Sequence, residues 1–265
     1  MGALRNAANR LVSPLGWSVI KQSRREQVSA VLSLLHAVDS GHELIRIGGE
    51  RDGGYLLPDD LGGVIACFSP GVGDSSRFEL ALEERGIRSF LADASVKGPC
   101  AGAEHMDFTA KFLGASTHGN VISLDDWVAE KSAIAGAGDL LLQMDIEGAE
   151  YETLLAASDD TLRRFRVLAL ELHGLDQVGQ EYARRLIGAT LAKLGRHFVP
   201  VHLHPNNFRQ TVSVAGLEVP PLLEITYLRR DRCRSMSPQR RYPHPLDRDC
   251  VQSRPAVHVP ASLIA

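Results

Sequence analysis

The feature that most constrains the fold is a short apolar run that ends in acidic residues. The run Leu140–Met144 contains one polar residue, and Asp145, Glu147 and Gly148 follow it before a helical pattern begins. This order predicts a buried strand, a tight turn and a helix. Asp145 and Glu147 are two positions apart, so they lie on one side of the chain, where strand ends in α/β sheets bind ligands. The alternative role for each carboxylate is to cap the following helix.

Apolar runs and helical patterns alternate along most of the chain. Helical spacing is seen in residues 26–39, from residue 78, from residue 124 (with Ser123 as its N-cap), and in residues 149–164 and 176–194. Such alternation predicts an α/β fold, with a mostly parallel sheet covered by helices on both faces. The predicted strands are residues 64–69, 89–92, 108–113, 140–144, 167–170, 197–203 and 222–228.

The length of 265 residues allows one large domain with appendages. We expect an N-terminal helical extension (1–40), a catalytic domain (41–230) and an irregular C-terminal tail (231–265). The tail is polar, basic and rich in proline, which is typical of a solvated segment. Residues 1–25 mix apolar and basic positions. They form either an extension packed on the domain, which we favour, or a basic amphipathic segment that contacts a membrane surface or a partner.

Charge and cysteine content exclude several classes of protein. The net charge of −3 gives no overall electrostatic reason to bind nucleic acid, so no nucleic-acid partner is expected. No apolar run approaches the ~20 residues of a membrane-spanning helix. The four cysteines lack metal-site spacing, and no export signal is evident, which predicts reduced thiols and a cytoplasmic location, with peripheral contact at the inner face of the membrane left open.

A glycine turn follows the first predicted parallel strand. Gly71 and Gly73 precede a helix, and the next strand ends at Asp93, about 20 residues further on, where an acidic residue holds ribose hydroxyls in nucleotide-binding folds. The third glycine of a dinucleotide motif is missing, which disfavours a nicotinamide cofactor. An earlier glycine-rich loop, residues 48–54, is either a plain turn or a place of close backbone approach to a ligand.

Titratable side chains also end the next two predicted strands. Glu171 and His173 follow one of them, and His202 and His204 alternate at the end of the other. Neighbouring strand ends should bring Asp145, Glu171 and His173 together, and such an oxygen-rich set with one imidazole favours Mg²⁺ or Mn²⁺. In the metal-free alternative, the carboxylates only form hydrogen bonds with a ligand. His173 and His204 are the candidates for the catalytic base in either case.

Three motifs together resemble the FkbM family of S-adenosylmethionine-dependent methyltransferases. They are Ser-Leu-Asp-Asp-Trp (123–127), Asp-Ile-Glu-Gly-Ala-Glu (145–150) and Leu-Glu-Leu-His (170–173). Asp-Gly-Gly-Tyr (52–55) and His-x-His-Pro-Asn-Asn (202–207) are similar to a subgroup within that family. Ser69 stands where the first acid of the family's glycine motif is usual, so the sequence departs from the family pattern at the contact with the methionine end of the cofactor.

The resemblance implies a class I methyltransferase, Rossmann-like fold: seven strands, the last antiparallel to the rest. Gly71 and Gly73 would let the backbone approach S-adenosylmethionine, and Asp93 would hold its ribose. A loop of Asp52, Gly53, Gly54 and Tyr55 would close over the cofactor or the acceptor. Asp126 and Asp145 complete the expected cofactor contacts.

Known members of the family mostly methylate hydroxyl groups, many of them on sugars. The resemblance therefore implies an O-methyltransferase for a sugar hydroxyl of a cell-surface polysaccharide or glycoconjugate, with a glycan or glycolipid as acceptor. Two alternatives stay open, a methyltransferase for a lipid or small natural product and a non-catalytic cofactor-binding scaffold in glycan assembly. The oligomeric state, including a homo-oligomer, stays open too.

Overall fold

The computed structural model describes residues 2–16, 19–50, 53–73 and 75–265. Helices and strands alternate along these residues, with short 3₁₀ turns between some of them. The helices are α1 (Gly2–Val12), α2 (Arg25–Leu32), α3 (Arg77–Glu83), α4 (Leu124–Ala135), α5 (Glu150–Ala156), α6 (Asp159–Arg164) and α7 (Glu181–Leu194). The strands are β1 (Val38–Asp39), β2 (Leu44–Ile47), β3 (Tyr55–Pro58), β4 (Val64–Pro70), β5 (Arg88–Ala92), β6 (Asp107–Thr109), β7 (Phe112–Gly114), β8 (Val121–Ser123), β9 (Asp139–Met144), β10 (Phe165–His173), β11 (Phe198–Pro205), β12 (Val212–Val214), β13 (Leu217–Val219), β14 (Leu222–Arg229) and β15 (Ser237–Pro238).

A seven-stranded sheet forms the centre of the molecule, in the order β11-β14-β10-β9-β4-β5-β6. Strand β14 runs antiparallel to both of its neighbours, β10 and β11, while the other neighbouring pairs are parallel. The chain thus starts at the middle of the sheet, builds one half outward, returns to build the other half, and inserts its last strand next to the edge. This is the class I methyltransferase arrangement, and the predicted fold is confirmed.

The sheet is buried because its strands carry apolar side chains on both faces. The first eight residues of β10 are all buried, as expected for a strand covered on both sides. On one face, Trp127 of α4 is fully buried and packs edge-on against Phe68 of β4, with ring centroids 4.9 Å apart. Ser123 accepts a hydrogen bond from the Asp126 amide, so the predicted N-cap of α4 is also confirmed. The tryptophan of the Ser-Leu-Asp-Asp-Trp motif is therefore a core residue.

Several predicted elements have different bounds in the structure. The strand predicted at 108–113 is two strands, β6 and β7, and β7 pairs with β8 outside the main sheet. The helix predicted at 149–164 is broken into α5 and α6 because Ser158 caps a new helix there. A 3₁₀ turn occupies 175–179, so α7 begins only at Glu181. Strand β10 continues to His173, which keeps Glu171 and His173 within the rigid sheet.

The C-terminal tail is irregular, but it is not the solvated segment that its composition suggests. Strand β15 pairs with β1, and the rest of the tail packs against the domain, where Leu263 is fully buried and Asp247 pairs with two histidines of β11. Polar backbone contacts replace regular structure there, which composition alone does not reveal. Among the described residues, no helix has the length and apolar character needed to cross a membrane.

Candidate active site

The carboxyl ends of β9 and β10 bring three predicted side chains together. The parallel register pairs Met144 with Leu170, so Asp145 and Glu171, which follow them, become neighbours. The Nε2 atom of His173 lies 3.8 Å from Asp145 Oδ1 and 3.6 Å from Glu171 Oε1. One ligand atom from each of the three residues lies within 4.8 Å of the others. The structure therefore brings Asp145, Glu171 and His173 together as predicted. We call these three residues the acidic triad.

The turn after β9 is shaped by its contact with the turn after β4. Gly71 has a φ of +87°, and a Cβ there would lie 1.6 Å from the carbonyl oxygen of Asp145. Glu147 also has a positive φ, of +56°, which a non-glycine residue adopts only at some cost. The immediate reason for glycine at position 71 is thus the close approach of these two turns. By contrast, a Cβ at Gly73 would meet open space.

Two adjoining cavities open beside these turns. The glycine-loop cavity, of about 480 Å³, has a wall formed by loop, strand and α3 residues. The carboxylate cavity, of about 380 Å³, lies over the ends of β9 and β10. Asp145 and Glu147 line both cavities, so they mark the boundary between them. The glycine-loop cavity is lined by Gly53, Tyr55, Gly71, Val72, Gly73, Ser75, Ser76, Phe78, Glu79, Leu91, Gln143, Asp145 and Glu147. The carboxylate cavity is lined by Asp145, Glu147, Glu171, His173, Asn206, Phe208, Arg209, Leu222, Cys250 and Val251.

The predicted cofactor residues are only partly brought together. Gly53, Tyr55, Gly71, Gly73 and Asp145 line the glycine-loop cavity. Asp52 lies outside the described residues, and Gly54 packs within its own loop, where a Cβ would lie 2.2 Å from the Gly49 carbonyl oxygen.

The two other predicted cofactor residues are acids with local hydrogen-bond partners. Asp93, buried at the end of β5, accepts hydrogen bonds from the Val72 amide (3.0 Å) and the Ser95 amide (2.6 Å), so it fixes the glycine turn. Asp126 is placed elsewhere. It lines a separate cavity of about 240 Å³ beside Thr117 and Ser123, and both of these hydroxyls bond to its carboxylate.

His173 is surrounded by acidic groups. Its Nδ1 lies 3.1 Å from Glu150 Oε1, while its Nε2 faces Asp145, Glu171 and, at 3.5 Å, Glu147. Burial lowers the pKa of His173, but the Glu150 hydrogen bond and the surrounding carboxylates outweigh it and raise the pKa to about 9. Without another cation present, the surrounding carboxylates therefore favour the protonated form of His173. A protonated imidazole cannot act as a base.

Glu150 is a site residue that the sequence did not reveal. Its side chain is fully buried, and Oε1 accepts hydrogen bonds from the amides of Ile146 and Gly148, both at 3.1 Å. Burial raises the pKa of Glu150, but its bonds to His173 and Gly148 outweigh that and lower it. Glu150 thus holds the turn and orients His173 so that Nε2 points to Asp145 and Glu171. A carboxylate behind an imidazole is a common support for a metal-binding histidine.

Glu171 is an electrostatically unfavourable carboxylate. Burial, Asp145 and Glu224 together raise its pKa to about 9. Glu224 lies directly opposite on β14, and Asn206 donates a hydrogen bond of 3.1 Å to Glu171 Oε2. Buried acidic side chains at this density favour a bound cation, and two carboxylates with one imidazole match the ligand preferences of Mn²⁺ and, less closely, Mg²⁺. The residues present thus fit the expected metal.

His204, the other predicted base, is held away from this site. Its Nδ1 lies 3.6 Å from Asp247, and its Nε2 lies 3.0 Å from the Arg248 carbonyl oxygen. Burial lowers the pKa of His204, but Asp247, Glu224 and this carbonyl outweigh it and raise the pKa to about 9. His204 is not one of the described residues that line the two cavities. Its geometry therefore favours a role in holding the tail over a role as base.

A second group of polar residues, also unpredicted, lies at the back of the glycine-loop cavity. Ser69 Oγ lies 2.5 Å from Glu79 Oε1 and 2.6 Å from Gln143 Oε1. Burial raises the pKa of Glu79, and the Ser69 hydrogen bond opposes this. In the described part of the chain, no basic side chain forms an ion pair with Glu79. Glu79 of α3, ten residues later and with no motif around it, thus places a carboxylate beside Ser69.

Comparison with known proteins gives one family match. Residues 79–198 match the family model described as Methyltransferase FkbM domain. The matched segment contains all three residues of the acidic triad. It ends before the His-x-His-Pro-Asn-Asn motif and begins after the Asp-Gly-Gly-Tyr loop. No curated protein matches the chain.

The similarity of the chain to a solved structure is weak. The chain is similar to the crystal structure of Burkholderia thailandensis 1,6-didemethyltoxoflavin-N1-methyltransferase with bound 1,6-didemethyltoxoflavin and S-adenosylhomocysteine. The identity is 17%, the TM-score is 0.29, and the likeness covers 64% of this chain and 72% of that one. The fold is established by the strand order and does not depend on this likeness.

Proposed function

We propose that the protein is an S-adenosylmethionine-dependent O-methyltransferase that acts on a sugar hydroxyl with the help of a divalent metal ion. The observation that carries this proposal is the meeting of two cavities at Asp145, beside Glu171 and His173. Methyl transfer needs a donor and an acceptor oxygen held in line, and two adjoining cavities supply one place for each. The match of residues 79–198 to the methyltransferase FkbM domain supports the same reaction.

S-adenosylmethionine is assigned to the glycine-loop cavity. Gly71 and Gly73 line this cavity, Gly73 faces open space, and Tyr55 and Phe78 provide aromatic surface in the same wall. Asp93 supports the turn from below. The cofactor carries an ammonium group and a sulfonium, and the buried carboxylate of Glu79 is a suitable partner for positive charge in this cavity.

The acceptor is assigned to the carboxylate cavity, where Asp145, Glu171 and His173 would hold the metal. A divalent ion at this site would stabilise the deprotonated form of the acceptor hydroxyl. Glu150 keeps the Nε2 atom of His173 directed to the site, and Asn206 holds Glu171. If no metal binds, His173 must lose its proton before it can serve as the base, which its four carboxylate neighbours oppose.

A saccharide is the acceptor class that best suits the carboxylate cavity. Asn206, Arg209 and the carboxylates offer hydrogen bonds to several hydroxyls, and Phe208 adds an exposed aromatic ring. An apolar lipid would leave these groups without partners, which makes it the weaker alternative. The clustered titratable groups likewise disfavour a non-catalytic scaffold. We also propose that the Asp-Gly-Gly-Tyr and His-x-His-Pro-Asn-Asn motifs define a subgroup of the family.

We propose a cytoplasmic location, close to where activated sugars are assembled. Leu11 and Leu15 expose 78% and 74% of their surfaces, so the N-terminal segment is the candidate for peripheral contact with the membrane or for contact with a second copy of the chain. The acceptor proposed above is a glycan or glycolipid.

Calorimetric titration with S-adenosylhomocysteine, with chelator or with Mn²⁺, tests the proposal. We expect binding of the cofactor product in both conditions, and methyl transfer to a panel of methyl glycosides only with Mn²⁺. Glu171→Gln should weaken Mn²⁺ binding about 10–100-fold, while Glu152→Gln, an exposed acid on α5, should leave it unchanged. Full activity in chelator would remove the metal from the mechanism. Absence of S-adenosylhomocysteine binding would overturn the methyltransferase proposal.

A further inference from the structure

The C-terminal tail closes one side of the carboxylate cavity. Cys250 and Val251 belong to its lining although they lie outside the seven-stranded sheet. The Cys250 Sγ atom lies 3.2 Å from Glu224 Oε1, next to the acidic triad. The wall of the proposed acceptor site is thus made in part by a segment without regular structure, and something must hold that segment in place.

Two histidines of β11 bind this segment through one buried aspartate. His202 Nε2 lies 2.8 Å from Asp247 Oδ1, and His204 Nδ1 lies 3.6 Å from Asp247 Oδ2. Burial raises the pKa of Asp247, but both histidines outweigh it and hold this pKa well below its usual range. The Asp247 carboxylate also accepts a hydrogen bond from the His244 amide, at 2.8 Å, which closes the turn that precedes the cavity wall.

Asn207 binds the same segment further along. Its side chain is fully buried, its Nδ2 donates to the Val251 carbonyl oxygen, and its Oδ1 accepts from the Val251 amide, both at 2.9 Å. A side-chain amide that bonds both backbone groups of one residue fixes that residue as a strand partner would. Asn206, its neighbour, faces the other way and bonds to Glu171. In the His-x-His-Pro-Asn-Asn motif, Asn206 therefore binds the acidic triad, and Asn207 binds the tail.

We propose that His202, His204 and Asn207 form a tail clasp, and that the segment 244–255 held by it determines which saccharide acceptors enter the carboxylate cavity. The inference rests on the proposed function for its acceptor, but the clasp itself rests on contacts alone. His202, His204 and Asn207 are positioning residues. Val251 and Cys250 are the residues that contact the acceptor from this side.

The clasp is tested by the chemical accessibility of Cys250 in the full-length chain. Asp247→Asn and Asn207→Ala each remove one set of contacts between the clasp and the tail, and Arg241→Ala, an exposed position in the tail, is the control. Alkylation by N-ethylmaleimide is followed for each cysteine by peptide mass spectrometry. We expect the rate at Cys250 to rise at least about tenfold in both clasp variants, because release of the tail exposes its thiol. The rate in the control should equal that of the unchanged chain.

Cys67 serves as an internal measure of folding. It is fully buried in β4, so it reacts only if the domain opens. A higher alkylation rate at Cys250, with no higher rate at Cys67, supports the clasp. An unchanged rate at Cys250 in both variants overturns it. If one clasp variant unfolds and exposes Cys67, the other clasp variant decides the clasp. Val251→Trp, which changes the cavity wall but keeps the backbone groups that Asn207 binds, tests the specificity role through the acceptor measurements.

The acceptor measurements use methyl transfer from S-adenosylmethionine to a panel of methyl glycosides. In the clasp variants we expect KM for the glycoside to rise about tenfold or more, while the affinity for S-adenosylhomocysteine stays within about twofold of the unchanged chain. Val251→Trp should change the order of preference within the panel. If Val251→Trp leaves the order of preference among the glycosides unchanged, the tail segment does not determine which acceptors enter the cavity. Loss of S-adenosylhomocysteine binding in the unchanged chain would instead count against the proposed function, and the alkylation result would still decide the clasp.

Discussion

The residues of one short motif have separate tasks in this site. In Asp-Ile-Glu-Gly-Ala-Glu, Asp145 lies at the boundary of two cavities, while Glu147 adopts a positive φ at the turn. Glu150 is buried and binds both the turn and His173. In the sequence, Glu150 is only the last residue of this motif, and any acid in the first turn of a helix has the same local benefit. Its larger role depends on His173, 23 residues later, which local pattern cannot reveal.

Glu79 offers a direct test of how the cofactor is held. Glu79→Gln keeps the shape of the side chain but removes its negative charge from the glycine-loop cavity. We expect the affinity for S-adenosylmethionine to fall about tenfold, or about 1.4 kcal/mol, because a cationic ligand loses a buried partner. Isothermal titration of the variant, beside the exposed control Glu84→Gln on the same side of the sheet, gives the comparison. Equal losses in both variants would contradict this role.

At the scale of elements, apolar runs predicted the central sheet well and the short pairs poorly. Strands β4, β5, β9 and β14 are rich in apolar residues, and each observed strand is one residue longer than its predicted range, at one end. The hairpins of β2 with β3 and β12 with β13 were not predicted, since runs of three or four residues give too little periodicity. The clasp could not be predicted either, because Asp247 lies more than 40 residues from its histidines.

The contact between the turns after β4 and β9 can be tested by a pair of glycine substitutions. Gly71→Ala places a Cβ against the Asp145 carbonyl oxygen and forces an alanine into a positive φ. We expect a loss of about 2–4 kcal/mol in the free energy of unfolding and loss of S-adenosylhomocysteine binding. Gly73→Ala, whose Cβ meets open space, is the matched control and should lose less than about 1 kcal/mol. Urea denaturation measures both, and equal effects would show that the turns are not tightly packed.

The clasp element should give stability a defined pH dependence. The folded pKa of His204, about 9, lies above its usual 6.5, so its contribution is complete below pH 6.5 and is lost as pH rises from 6.5 to 9. The pKa of Asp247 is lowered from 3.8, so its contribution is present above that pH and is lost as the pH falls below it. The difference in unfolding free energy between the unchanged chain and Asp247→Asn should therefore be largest between pH 4 and 6.5. Urea unfolding measured from pH 4 to pH 9 would show a constant difference if His204 did not titrate with the clasp.

At the scale of the whole molecule, the fold places two cavities on the same edge of one sheet. The sequence predicted the edge, because strand ends carry titratable residues at Asp145, Glu171 and His173. The sequence did not predict that Asp126 would lie in a separate cavity. Membership of a motif does not determine which cavity the side chain of a helical residue lines. The fold thus makes Asp145 and Glu147 common to both cavities, so binding in one should affect the other.

This sharing leads to a prediction about charge. S-adenosylmethionine carries a sulfonium that S-adenosylhomocysteine lacks, and in the proposed binding mode the carboxylates of the acidic triad would attract this sulfonium when no metal is bound. Mn²⁺ at the triad would offset that attraction, so we expect Mn²⁺ to weaken the binding of S-adenosylmethionine several-fold more than that of S-adenosylhomocysteine, within the ~5–150-fold range of coupling between sites. Titration of both ligands with and without Mn²⁺ measures the ratio, and Glu171→Gln should reduce the effect of the metal. An identical effect of Mn²⁺ on the two ligands would mean that the sulfonium and the triad lie too far apart for direct methyl transfer at this junction.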